Sequence, residues 1–284
     1  MYYMLPASKS IKQTAKGLME GKWPQLLGVS CITMCGFLVP VVAQSILQTA
    51  FGAVQTLSGA IAQQNLRSLS PAALLTAFIG VLLTLCLWSP LCLGVQRWFW
   101  RLSGGADDTV GGLFHYFSSG RLYGRALLFQ ILLFFRLLLT ALAAFAPAII
   151  SYLLVSPEFY TAIGAQTPVI VTELWSLPGA FAALGLIAFI PWALRYYLAS
   201  YLLINDPALT PGQALTLSVK ASRGSRAAFL GLLLTFFGWL LLCLLALPAF
   251  FVLPYILAAR AVFARYAIHA YNTGLQRAPT YGMY

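Results

Sequence analysis

Residues 227–259 contain no charged side chain. A helix that is apolar on every side must be buried in a large core or lie in a bilayer. The same pattern recurs along the chain. Residues 24–48, 71–96, 126–153 (interrupted only by Arg136) and 174–194 are comparable stretches, and 227–248 and 249–268 form a last pair. Each is near the ~20 residues that cross a hydrocarbon core ~30 Å thick. Charged residues make up 8% of the 284, against about 25% in soluble domains, so the material for a separate water-facing domain is lacking. The expected fold is all-α: a polytopic membrane protein with six transmembrane helices in three hairpins, each preceded by a short interfacial amphipathic helix. The whole of 1–284 reads as one membrane domain, with 273–284 as a short cytoplasmic tail.

The N-terminus, MYYMLPASKSIKQTAKGLMEGKW, lacks a short apolar core followed by a small-residue cleavage site, so the first apolar run reads as an anchor that stays. Cys31, Cys35, Cys86, Cys92 and Cys243 all lie inside apolar runs and form no Cys-x-x-Cys, which favours small buried hydrophobes over disulfides or metal ligands.

Cations alternate by loop. Lys9, Lys12, Lys16 and Lys22 precede the first run; Arg97, Arg101, Arg121 and Arg125 separate the second from the third. Arg195, Lys220, Arg223 and Arg226 follow the fourth, and Arg260, Arg265 and Arg277 close the chain, so that one side holds 15 of the 17 Lys and Arg residues. The other side has Arg67 with Glu158 and Glu173. Cytoplasmic loops collect Lys and Arg, which places both termini in the cytoplasm and the protein in the cell membrane. The net charge of +11 is then a membrane-surface feature. Nucleic acid is not an expected partner, since no soluble basic domain exists to carry it. Residues 227–259 are short for two spans and a turn: either Arg260 lies within the sixth span, or spans five and six form a shallow hairpin.

The chain also suggests a repeated unit. Thr210-Pro211-Gly212-Gln213 fits a capping box with Pro at the first helical position. Thr216, Lys220 and Arg223 then share one helical face, and Ala214, Leu217 and Ala221 another, until Gly224 breaks the helix before Arg226. Near the start, Ser10 to Gln13 fits the same box, Lys9, Lys12 and Lys16 line one face, Ile11, Ala15 and Leu18 the other, and Gly21-Lys22 closes it. In the middle, Asp108 is the expected cap of a weaker helix through Leu113 and Phe117 that ends at Gly124-Arg125. Tandem units 9–101, 108–204 and 205–272 follow, set against the plainer reading that any membrane hairpin carries Gly, Pro and basic residues at such places. In each unit the amphipathic helix is expected to lie with its apolar face in acyl chains and its cations near anionic headgroups, each cation contributing about 1 kcal/mol of surface attraction.

Asn205-Asp206-Pro207, Gln213-Ala214-Leu215, Ser218, Gly224 and Arg226 carry a resemblance. With Phe236-Phe237-Gly238-Trp239-Leu240, Pro254-Tyr255, Phe263 and the early Ala15-Lys16, Leu18 and Gly21-Lys22-Trp23, the pattern resembles the uncharacterised bacterial integral membrane family known as domain of unknown function 975. Ser222 departs from it, standing where Met is expected. The resemblance implies a multi-span membrane protein and no activity.

Catalytic residues are scarce. His115 and His269 are the only histidines, and no His-Glu-x-x-His, Gly-x-Ser-x-Gly or Walker lysine pattern occurs. No catalytic site, cofactor or metal site is therefore expected. Asp107-Asp108 reads as a helix cap. The aromatics Trp88, Trp98, Trp100, Trp192, Tyr196, Tyr197 and Tyr201 read as belt anchors at span ends.

Arg136 is the exception. It lies 11 residues after Arg125, which puts it ~16 Å deep on a straight helix, where a charge costs at least ~2.5 kcal/mol. One reading makes it an anion or lipid-phosphate contact together with Arg195 and Arg260; the other is a snorkelling or internally hydrogen-bonded Arg. The candidate anion- or lipid-binding set is Arg136, Arg195, Arg260, Lys16, Lys22, Lys220, Arg223 and Arg226, with membrane lipids, anionic ones above all, as partners. The expected role is a non-enzymatic scaffold, accessory or membrane-sensing protein. The alternative is a transporter or channel for an anionic solute or lipid, for which Pro90, Pro147, Pro191 and Pro254 would supply broken helices.

Overall fold

The computed structural model describes residues 8–50, 71–156, 160, 176–242 and 248–274. Among them every regular element is helical. In order these are α1 (Ser8–Met19), α2 (Trp23–Ala50), α3 (Pro71–Ser103), a 3₁₀ segment (Val110–Phe117), α4 (Gly120–Val155) and α5 (Ser176–Ala193). A 3₁₀ turn (Leu194–Tyr196) leads to α6 (Ala199–Asn205), then α7 (Pro211–Ala221), α8 (Arg226–Leu234), α9 (Phe237–Leu242) and α10 (Ala249–Asn272). Five stretches are long and apolar enough to cross a membrane: Trp23–Ala50, Leu74–Ser103, Gly120–Val155, Ser176–Asn205 and Ala249–Asn272. The chain has the composition and helices of a membrane protein.

The expected fifth run, 227–248, is not one long helix where it is described. The nine residues of α8 rise only about 13 Å. At its end the Thr235 hydroxyl donates to the Leu232 carbonyl at 2.6 Å, and the backbone tightens as Phe236 N–H donates to Leu233. Lys12 of α1 fixes this break: its Nζ donates to the Thr235 carbonyl at 3.2 Å and lies 4.5 Å from the centre of the Phe236 ring. Residues 243–247, with Cys243, lie outside the described residues, as do Arg67, Glu158, Glu173, Arg277 and most of the proposed tail.

Helices α2 and α3 pack along each other. A Cβ on Gly36 would collide with Leu91, Gly80 faces the Gln44 side chain, and Phe37 meets Trp88 edge-on. Helix α10 runs beside α3, and its face from Ala258 to Ala264 is almost wholly buried. The α4 and α5 helices form a second pair in which Gly185 lets the Ala144 carbonyl approach to 2.8 Å of where a Cβ would stand, with Phe145 beside Phe189. Pro90 inside α3 cannot donate to the carbonyl of Cys86. The Tyr123 hydroxyl of α4 donates to that carbonyl instead, at 3.1 Å, and nearby Ser89 donates to the Ala126 carbonyl. The polar groups that join α3 to α4 are thus satisfied inside the protein, as an apolar solvent requires.

Several local expectations need correction. The capping box at Thr210 is present, with Thr210 accepting from Gln213 N–H and Gln213 accepting from Thr210 N–H. Ser10 is not a cap, because α1 already begins at Ser8. Asp108 does not cap the middle segment either. Thr109 holds that position, and the Asp108 carboxylate is taken by Arg97 and Arg101. Gly124 lies inside α4; the left-handed glycines that follow helices are Gly21 (φ 78°), Gly105 (φ 79°), Gly224 (φ 88°) and Gly274 (φ 73°).

The apolar faces of α1 and α7 do not rest in acyl chains. Ile11, Ala15 and Met19 are buried against the protein core, as are Ala214, Leu215 and Ala221. Small side chains on these faces allow close approach to α10 and to α6, so tertiary packing rather than lipid covers them.

Candidate functional site

One end of the bundle gathers α1, the last turns of α3 and α10, the first turn of α4, α6 and α7, and most described cations lie there. Three of its arginines are engaged by helix C-termini, whose last carbonyls have no partner within the helix. Arg125 Nη2 reaches the carbonyls of Leu203, Asp206 and Leu209 at 3.2, 3.0 and 2.8 Å. Arg265 donates to the Trp100 carbonyl at 2.7 Å and to Ser103 Oγ, with its guanidinium 4.3 Å from the Trp100 ring centre. Arg226 donates to the Val219 carbonyl at 2.8 Å and to Ser222 Oγ at 2.9 Å. The loop after α3 uses two more: Asp108 accepts from Arg97 and Arg101 at 3.4 and 3.3 Å. Beside them Lys22 pairs with Asp107. His115 sits close by. Partial burial and Arg97 hold its imidazole below the ordinary histidine range, against the pull of Asp108 and with a further push from Arg101.

The sequence-chosen residues therefore occupy different places. Lys16 and Lys220 are exposed on the outward faces of α1 and α7, and Arg223 is exposed in the turn that follows α7. Lys22 and Arg226 are engaged as described. Arg195 stacks 4.2 Å from the Trp192 ring centre, its backbone carbonyl accepts from Ser218 and Ser222, and its Nε is buried without a partner among the described residues. Arg136 lies on the half-buried flank of α4, between exposed Phe135 and Leu139, with no hydrogen bond or ion pair among the described residues. Arg260 lies inside a cleft of about 390 Å³ between α2, α3 and α10. No hydrogen-bond network among the described residues joins Arg136, Arg195 and Arg260.

The Arg260 cleft contains groups that sequence reasoning did not assemble. Ser30 and Thr33 of α2 and Trp88, Cys92 and Gln96 of α3 line it. Both Gln96 Oε1 and Arg260 Nε are buried without a hydrogen-bond partner among the described residues. The Gln96 amide reaches only the Cys92 sulfur, at 3.5 Å. Cys92 and Gln96 stand four residues apart and so share a helix face, but nothing in the spacing of α3 alone announces that Arg260 will meet them.

No curated protein and no solved structure matches the chain. The sequence pattern of the family described as "Protein of unknown function (DUF975)" matches residues 4–270, nearly the whole length, and the chain belongs to that family.

Proposed function

We propose that this protein is a non-enzymatic, membrane-embedded scaffold, accessory or membrane-sensing protein. It holds a fixed basic face against anionic lipid headgroups or an acidic partner at the cytoplasmic side of the cell membrane. The supporting observation is the setting of α1 and α7. Their apolar faces are locked into the core while Lys9, Lys16 and Lys220, with Arg223 in the turn after α7, stay exposed. A cation on a rigid element adds to surface attraction without ordering a flexible segment first. The scarcity of acid and base side chains favours a binding role over catalysis.

The finer architecture belongs to the same proposal. Helices α8 and α9 pair with α10 as a shallow third hairpin that returns the chain to its starting side. That reading is supported by the packing of α1 on α10 and by the contact of Arg265 with the last turn of α3. Both termini then face the cytoplasm.

Two measurements test this. An impermeant maleimide should label Lys16→Cys and Lys220→Cys from the same side of sealed vesicles; labelling from opposite sides would end the proposal. The Lys9→Gln, Lys16→Gln, Lys220→Gln, Arg223→Gln variant, purified with its lipid, should retain less anionic lipid than wild type. An anionic solute gradient collapsed by wild-type protein in liposomes, but not by Arg136→Leu, would instead favour the transporter reading.

A further inference from the structure

The basic outer face leaves one polar cluster unused, and it lies among the apolar helices. Arg260 is 11 residues into α10, with its Nε buried and unpartnered and with no carboxylate beside it among the described residues. Gln96 Oε1, in the same cleft, is buried and has no partner among the described residues. The Tyr201 hydroxyl, on a side chain 1% exposed, also lacks a partner among the described residues. The hydroxyls of Ser30 and Thr33 already donate to their own helix, at 3.0 and 2.7 Å. What the cleft offers is therefore a cation and a carbonyl acceptor lining the same space. A cation left in such surroundings is costly, and an opposite charge with hydrogen bonds is what offsets it.

The cleft also continues. A second one of about 530 Å³ shares Thr33, Trp88 and Leu253 with it. It adds only apolar lining, Phe37 and Leu38 of α2 among it, and these two are 56% and 53% exposed on the outer surface of the helices. The groove thus has a charged inner end and an apolar arm that opens sideways. Its polar end lies toward the end of the bundle where α3 finishes, Gln96 being seven residues before Ser103. That is the shape and polarity of an amphiphile lying with its headgroup toward the basic side.

We infer that this groove binds one anionic phospholipid, with phosphate against Arg260, a headgroup hydroxyl donating to Gln96, and an acyl chain along Leu253, Phe37 and Leu38. The inference rests on the membrane reading above but uses none of the outer-face cations, so the two can fail separately.

Trp88 lines both parts of the groove and serves as reporter. Full-length protein is placed in phosphatidylcholine vesicles containing increasing fractions of phosphatidylglycerol with brominated acyl chains, or of brominated phosphatidylcholine. The difference between wild type and Trp88→Phe isolates the Trp88 emission. Saturable quenching is expected at a mole fraction roughly tenfold lower for phosphatidylglycerol than for phosphatidylcholine, as one charge-assisted contact would give. Arg260→Gln should abolish that preference and Arg260→Lys should keep it. Leu253→Phe, which narrows the apolar arm and keeps the charge, should weaken quenching by both lipids and provides the test if Arg260→Gln does not fold. The four outer-face Gln substitutions should leave the Trp88 signal unchanged. Equal, non-saturating quenching by both lipids would overturn the inference, leaving water as the occupant. Relief of quenching by inorganic phosphate would overturn it in favour of a free anion.

Discussion

Arg136 and Arg260 both sit in apolar helices without a carboxylate, but in opposite surroundings. Arg136 belongs to the α4–α5 pair, where only 11% and 6% of the most apolar stretch is buried by protein. Arg260 belongs to α10, where that share is 61% and the neighbours are α2 and α3. A cation on the outer pair can bend its long stem toward water or headgroups. Arg260 instead turns into a cleft between three helices, where its Nε is buried without a partner among the described residues. The same residue type thus carries different meanings, and the difference lies in what packs around it.

The most disruptive way to probe this contrast is at the glycines that set each interface. A Cβ at Gly94 in α3 would fall 1.9 Å from the Leu113 carbonyl oxygen. Gly94→Leu should therefore cost about 3 kcal/mol or more, as overpacking against fixed backbone does. A large drop in the thermal midpoint of the purified protein is the expected result. Gly185→Leu, against the Ala144 carbonyl at 2.8 Å, should splay the α4–α5 pair and cost less, because fewer elements depend on that pair. If the two drops were equal, the division into a central group and an outlying pair would be wrong.

The arginines sharpen the comparison further. Arg125→Ala strands three carbonyls, and a loss of roughly 2–3 kcal/mol is expected, in line with hydrogen bonds to a charged group. Arg136→Leu should leave the midpoint unchanged or slightly higher, since it removes a charge from an apolar surface. It should also leave co-purifying lipid unaltered by native mass spectrometry. A lipid lost with Arg136 and retained in Arg260→Gln would reverse the roles assigned to the two.

The smallest effect concerns His115. Its folded-state affinity for a proton is depressed, so the unfolded chain protonates first as the pH falls. Stability should be unaffected well above the ordinary histidine value of about 6.5 and decline progressively below it. His115→Gln should flatten that slope in midpoints measured between about pH 7.5 and pH 5. A slope unchanged by the substitution would assign it to other groups.

The apolar runs determined, by themselves, that the chain is helical and suited to a membrane, because a run of ~20 residues without charge has few other stable environments. The Thr210 box and the breaks at Gly21 and Gly224 were equally readable, since capping and left-handed φ are local properties of a few residues. Tertiary structure alone decided the fate of α8, whose end is held by Lys12 from more than 200 positions away in the chain. It also decided that the apolar faces of α1 and α7 are covered by protein. That Arg260 and Gln96 line one cleft was likewise undetermined by either helix, because two faces that are each self-consistent do not reveal which of them will be turned toward the other.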